Sequence, residues 1–156
     1  MTDDIAALVA HHPLLAGLPG HTIDHVALCA RNVAFATGEL LLSEGEPADT
    51  LYLVRRGKVA VEIHGPGRGP LCIETLGPGD AVGWSWLFPP YRWRFDGRAL
   101  EPVGAMAVDG ACLRGKADAD PVFGYELMKR VTAVIIERLQ ATRIRLLDVY
   151  GNRGND

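Results

Sequence analysis

The apolar positions of this chain follow three successive patterns, and each predicts a different kind of structure. Residues 3–30 carry them at helical spacing, broken at "LAGLPG", where Pro19 and Gly20 stop one segment. His11 and His12, just ahead of Pro13, mark a helix end, and "HTIDHVALCA" resumes the period through Ile23, Val26, Ala27 and Ala30. From Val33 to Val108 the period shortens. Brief apolar runs are divided there by Gly38, Gly45, Gly57, Gly65, Gly77, Gly79, Gly97 and Gly104. "KVAVEI" alternates, with Val59, Val61 and Ile63 on one face and Lys58, Ala60 and Glu62 on the other. With the preceding "LYLVRRGK" it predicts a hairpin over residues 51–63, then an exposed loop at "HGPGRGP", residues 64–70. Short strands between Gly and Pro turns predict a sandwich, jelly roll or barrel.

After Asp109 the helical period returns. Pro121 occupies a position that the first turn of a helix accepts, and only Gly124 interrupts the helix formers before Gly151. Such a helix runs about 43 Å at ~1.5 Å per residue. Met128, Thr132, Ile135, Leu139, Thr142, Leu146 and Val149 recur at alternating steps of four and three, an a/d seam. A helix of this length cannot bury itself wholly on so small a domain, so the seam predicts a homodimer through residues 121–149. The competing arrangement folds the helix back onto its own barrel. Together the three patterns describe a single domain, residues 1–156: N-terminal helices (1–32), a β-roll (33–108) and C-terminal helices (109–150).

Composition narrows the class. A chain of 156 residues suffices for one domain with a sizeable core. Its net charge of -3 offers no general basic face for nucleic acid, although a local basic patch remains free to hold a small anion. Cys29, Cys72 and Cys112 are odd in number and widely spaced, which predicts reduced thiols and a cytoplasmic protein. The acidic start "MTDDIAALVAHHPLL" has too short an apolar run for a signal peptide or a membrane span.

Two other chemistries have less behind them. His21, His25 and Cys29 form an i, i+4, i+8 stripe of zinc-type ligands beside Asp24. Its plainer reading is a helix with His21 and Asp24 in water and Cys29 partly buried, and no metal is predicted. The chain has no Gly-x-Ser-x-Gly elbow, no Walker loop and no paired carboxylates in an acid–base setting. Ser43, Ser85 and the cysteines have no histidine near them in sequence. A non-enzymatic protein is predicted.

"WSWLFPPYRWRF", residues 84–95, changes this picture. It gathers all three tryptophans, two of the four phenylalanines, and Arg92 and Arg94 around a Pro-Pro pair. Such a stretch is either a binding site or a plug that fills one. Its neighbours supply a context. "GELLLSEGEPADTLYLVRRGKVAV", residues 38–61, resembles the first half of the cyclic-nucleotide-binding domain, the family of the catabolite activator protein and the regulatory subunits of cyclic-AMP-dependent kinase. The pattern is carried by Glu44, Gly45, Asp49, Leu51, Tyr52, Val54, Gly57 and Val59, and "LGPGDAVG", ending at Gly83, matches too. "RLQATR", residues 138–143, resembles the family's dimer helix. The resemblance implies a mainly β fold: a jelly-roll barrel with short N-terminal helices and a long dimerising C-terminal helix. DNA-reading members continue into a winged helix-turn-helix, whereas this chain ends on "DVYGNRGND". Neither direct DNA binding nor membrane association is expected.

A site comes with the resemblance. Family members that bind cyclic nucleotide open a phosphate-binding cassette with Gly-Glu and later place Arg, then Ser or Thr, then Ala. The Glu accepts the ribose 2′-hydroxyl, and the planar fork of Arg pairs with the phosphate. Here Gly83 is kept but Trp84 replaces the Glu, and indole is a donor only. Anchored on "RALE", residues 98–101, Trp93 stands at the Arg and Arg94 at the Ser or Thr. A one-residue gap instead moves Arg94 to the Arg place and sets Phe95 where Ala belongs. Thr142 corresponds to a threonine that reaches the nucleotide across the dimer, followed by Arg143 in place of a small hydroxyl residue. The candidate pocket is therefore Gly83, Trp84, Ser85, Arg92, Trp93, Arg94, Phe95, Thr142 and Arg143.

Two functions follow. In the first, the protein is a stand-alone sensor or regulator that does not bind ordinary cyclic AMP or GMP in the usual way. Arg92, Arg94 and Arg143 hold a cyclic nucleotide or other small anion, and Trp84, Trp86 or Trp93 stacks on its flat group, at about 1–3 kcal/mol per stack. In the second, the rings fill the pocket and the arginines face solvent or pair with Asp96 and Glu101. The protein is then a non-binding adaptor for a downstream protein partner.

Overall fold

The structure, a computed structural model, describes residues 5–153 apart from residue 68. Two short helices, α1 (Ile5–His11) and α2 (Gly20–Ala27), lead into eight strands. These are β1 (Ala30–Phe35), β2 (Leu40–Leu42), β3 (Thr50–Arg56), β4 (Val59–His64), β5 (Pro70–Leu76), β6 (Ala81–Val82), β7 (Asp96–Ala99) and β8 (Val103–Asp109). A 3-10 turn at Ser85–Leu87 sits between β6 and β7, and α3 (Gly110–Ala119) and α4 (Pro121–Arg153) follow the strands. The strands pair antiparallel in two sheets, ordered β1-β8-β3-β6 and β2-β7-β4-β5. This is the jelly roll with flanking helices expected from the sequence. Leu53, Val54 and Met106 from one sheet and Val59 from the other are fully buried, as is Trp86. Each such side chain stabilises the fold by roughly 1.5–3 kcal/mol through its burial.

The hairpin expected over residues 51–63 does not form. β3 pairs with β6 and β8, and β4 pairs with β5 and β7, so the two strands lie in opposite sheets. The chain turns a corner at Gly57, whose φ is +85 and where a Cβ would lie 2.3 Å from the Pro102 carbonyl oxygen. A glycine turn between two apolar runs looks the same in sequence whether the strands pair or part. The clean alternation of "KVAVEI" also fails. Ala60 is as buried as Val59, and Glu62 is covered while it pairs with Arg98 at 3.0 Å, whereas Ile63 is 37% exposed.

The N-terminal helical period ends sooner than the pattern suggested. α2 stops at Ala27, and Ala30 already belongs to β1. Cys29 therefore lies beyond the helix that carries His21 and His25, so the three do not share a helical face. Among the described residues no group of three metal-type ligands converges. Cys29 instead forms a disulfide with Cys112, 83 residues away, with Cα atoms 5.8 Å apart. The expectation of three reduced thiols is thus corrected: only Cys72 is free, and it is exposed. Antiparallel pairing of β1 with β8, which begins at Ala30 and Val108, brings the two cysteines together.

α4 begins at Pro121 and continues past Gly151, 33 residues in all, or about 50 Å at ~1.5 Å per residue. Phe123, Leu127 and Val131 bury one stripe of it against the domain. Along the seam, Met128, Thr132, Leu139, Thr142, Leu146 and Val149 are exposed and Ile135 is half-buried. From Leu139 to Tyr150 every residue is exposed, including Ile144 and Leu147. No helix among the described residues is long and apolar enough to cross a membrane.

Candidate functional site

The aromatic segment is folded onto the barrel by its own rings. Trp86 is completely buried, and its indole Nε1 donates to the Gly83 carbonyl at 3.0 Å. Trp93, 5% exposed, lies against Gly83 so tightly that a Cβ there would fall 2.5 Å from its Cζ3. The φ of Gly83, +89, independently favours glycine. Of the three tryptophans only Trp84 is half-exposed; its ring meets Phe95 edge-on at 6.5 Å. Trp86 and Trp93 are core residues, so the stacking role considered for them is not open to them in this conformation.

A loop that the sequence did not connect with the segment clasps its far end. The Gly45 N–H donates to the Trp93 carbonyl at 2.8 Å, the Trp93 N–H to Glu46 at 3.0 Å, and the Ala48 N–H to Tyr91 at 2.7 Å. Arg92 adds a bond from its guanidinium to the Gly45 carbonyl at 2.9 Å. Of the two alternatives for Arg92 and Arg94 in a filled pocket, both side chains are exposed, and no pairing with Asp96 or Glu101 is found among the described residues. Asp96 is buried, accepts the Glu44 N–H at 2.7 Å, and faces His64 at 3.8 Å. Tyr91 follows a cis Pro89–Pro90 bond and holds a φ of 56.

Trp84, Ser85, Arg92 and Arg94 converge on one surface pocket of about 260 Å³, closed on the helix side by Ile135. Ser85 is buried and opens the 3-10 turn. Arg94 is exposed and makes no hydrogen bond or ion pair among the described residues. Phe95 packs behind Trp84 rather than lining the pocket. Thr142 and Arg143 are not among its walls: both are exposed, and the Thr142 hydroxyl donates to the Arg138 carbonyl at 2.9 Å.

Two further arginines bind this segment to the helices. Arg138 of α4 lies 4.7 Å over the Trp84 ring, donates to the Ala81 carbonyl, and pairs with Glu74 at 3.7 Å. Burial pushes the Glu74 carboxyl above its ordinary range, against the pull of Arg138 and Arg145. Arg114 of α3 donates to the Trp86 carbonyl and sits 4.2 Å over the Tyr91 ring. Arg138 opens the "RLQATR" motif, but its ring partner is 54 residues away and carries no local signal. Beyond it, a groove of about 540 Å³ between α4 and β5 is lined by Arg130, Arg138, Arg145, Glu74, Asp80 and Glu137 among others.

The family model of the cyclic nucleotide-binding domain matches residues 32–120, more than half of the chain. The chain belongs to the cyclic nucleotide-binding domain family. Within that family it is related to CRP-like regulators. A CRP-like cAMP-activated global transcriptional regulator of Mycobacterium tuberculosis H37Rv is 25% identical over 142 residues, 91% of this chain. The chain spans 62% of that relative's length. A Geobacter metallireducens GS-15 structure described as a cyclic nucleotide-binding protein superposes with a TM-score of 0.77 at 28% identity, covering 88% of this chain and 99% of that one. A cyclic nucleotide-binding domain from Methylobacillus flagellatus KT shares the fold with a TM-score of 0.78 at 21% identity, covering 92% and 81%. The matched region contains the whole aromatic segment and both faces of the pocket except α4.

Proposed function

We propose that the domain is a non-enzymatic regulatory module that works as a dimer through α4 and does not take 3′,5′-cyclic AMP or GMP in the usual way. The observation that carries this reading is the contact of Trp93 with Gly83. With the alignment anchored on residues 98–101 without a gap, this buried indole falls at the family's phosphate-binding arginine, and the indole of Trp84 is a donor that cannot accept a ribose hydroxyl. The exposed seam of α4 supports the dimer, since an apolar stripe of this length left in water is unfavourable. Arg138 supplies the link between them, because it joins α4 to Trp84.

One observation favours a second reading. Arg94 is unpaired among the described residues and shares its pocket with Arg92 and Trp84, which suits a small anion. At about 260 Å³ that pocket is smaller than the roughly 300–1,000 Å³ of most small-molecule sites. A phosphate-sized group fits it better than a nucleotide. Titration calorimetry with cyclic AMP, cyclic GMP and inorganic phosphate separates the readings. The first expects no heat from either nucleotide, and saturable nucleotide binding at micromolar concentration overturns it. Saturable phosphate binding that is lost in Arg94→Ala supports the second.

A further inference from the structure

Cys29 and Cys112 form a cross-link whose position matters beyond its stability. Cys29 stands between α2 and β1, and Cys112 lies in the first turn of α3. An open surface pocket of about 370 Å³ runs beside Cys29, walled by Leu28, Arg31, Asp49 and Asp109 among others. Cys29 itself is buried, but Cys112 is half-buried and Leu28 is 78% exposed, so solvent reaches this corner of the fold on the Cys112 side of the bond.

α3 is also in touch with both parts of the functional region. Arg114, two residues after Cys112, holds the Trp86 carbonyl and the face of Tyr91. Ala117 packs so closely on α4 that a Cβ on Gly124 would come 2.9 Å from its carbonyl oxygen. The disulfide fixes the first turn of the helix that touches both.

We propose that Cys29–Cys112 is a reversible redox site, exchanged by dithiol reductants, whose state sets how firmly α3 holds residues 84–95 and α4. In the exchange, a thiolate of the reductant attacks one sulfur of the pair, forming a mixed disulfide and releasing the other cysteine as a thiolate. The second thiol of the reductant then displaces the first cysteine. The reductant leaves as its own disulfide, and the pair, having taken two electrons and two protons, is left as two thiols. Re-oxidation requires little search. The Asp109 N–H bond to the Cys29 carbonyl, 2.9 Å, and the adjacent start of the β1–β8 ladder keep the two residues together. This input reaches α4 without any nucleotide, and it does not depend on how the pocket is filled.

Thiol alkylation read by mass spectrometry on Cys72→Ser, which leaves only this pair, tests the proposal. The protein isolated without reductant should take no label, take two after dithiothreitol while still folded, and return to none with oxidised glutathione. In the same samples tryptophan emission should shift on reduction and shift back on oxidation. Amide exchange in α3 should rise at least tenfold, and the unfolding midpoint should fall by roughly 4–16 °C. Three results overturn it: two cysteines that label freely and do not re-pair with oxidant, a bond that resists dithiothreitol until the fold melts, or reduction that leaves tryptophan emission and α3 exchange unmoved. If Cys72→Ser does not fold, the wild-type chain gives the same answer by peptide mapping of the labelled sites.

Discussion

Arg138 holds its guanidinium 4.7 Å above the ring of Trp84, and so ties the long C-terminal helix to the residue that follows Gly83. The same guanidinium bonds the Ala81 carbonyl and faces Glu74. Three parts of the fold therefore meet on one side chain: β5, the start of β6 with the turn that follows that strand, and α4. A shift of α4 along its axis must break this junction or carry Trp84 with it.

Breaking it should be measurable. Arg138→Met is expected to cost about 1–3 kcal/mol by urea denaturation, because it removes a charge-assisted hydrogen bond and the stack on the indole at once. In a double-mutant cycle with Trp84→Leu the coupling should be about 0.5–2 kcal/mol. Additive effects would mean that the stack contributes nothing. Removing Arg138 also takes away an opposing cation, so the Glu74 carboxyl should titrate still higher, as read by carboxylate NMR.

Gly83 and Gly38 share a φ of +89 but differ in the room for a side chain: Trp93 crowds a Cβ on the first, and among the described residues nothing lies within 4 Å of a Cβ on the second. Gly38→Ala should cost only the left-handed backbone penalty, about 1–2 kcal/mol. Gly83→Ala should cost more by about 1–3 kcal/mol, since Trp93 must move. Equal losses in the two variants would show that Trp93 does not press on this position.

His12 makes stability depend on pH. It is buried, its Nδ1 accepts the Leu14 N–H at 3.2 Å, and its Nε2 has no partner at hydrogen-bond distance among the described residues. Burial lowers its pKa from the ordinary 6.5, and the neighbouring Asp80 opposes this without reversing it. Below pH 6.5 the unfolded chain takes up a proton that the folded chain refuses. Stability should therefore be whole above that pH, fall as the pH drops through the window down to the lowered folded value, and level off beneath it. His12→Asn, which keeps an acceptor, should flatten that part of the profile in urea titrations at successive pH values. An unchanged profile would place the dependence elsewhere.

What could be read in the sequence was local. The glycine turns from Gly38 to Gly83 are needed wherever rolled strands reverse, so they pointed to the barrel. The seam of α4 is equally plain, because helical spacing alone defines it. Contacts between distant elements stayed hidden. Gly57 reads as a hairpin turn, yet its strands enter different sheets. Cys29 and Cys112 read as strangers until β1 pairs with β8. The aromatic run showed neither that Trp86 and Trp93 turn inward nor that Trp84 meets Arg138, since a run of rings has no period that separates core from surface.

The α4 seam should hold two copies together. Sedimentation of the wild-type chain at micromolar concentration is expected to give twice the 16.9 kDa of one chain. Leu139→Asp with Leu146→Asp should reduce it to a single copy with its far-ultraviolet dichroism retained, because both side chains are exposed in one copy and charge is excluded from such a seam. A wild-type species of 16.9 kDa would remove the dimer from the account.

Thermal unfolding with cyclic AMP and cyclic GMP tests the central claim most directly, with tryptophan emission as a second signal because every tryptophan lies in residues 84–93. A ligand at 100 times its dissociation constant adds about 2.7 kcal/mol, and each kcal/mol moves the midpoint by roughly 2–4 °C in a domain of this size. With Trp93 seated on Gly83, neither the midpoint nor the emission should move at millimolar nucleotide. A rise of roughly 5 °C or more with either nucleotide, accompanied by a change in emission, would contradict the account.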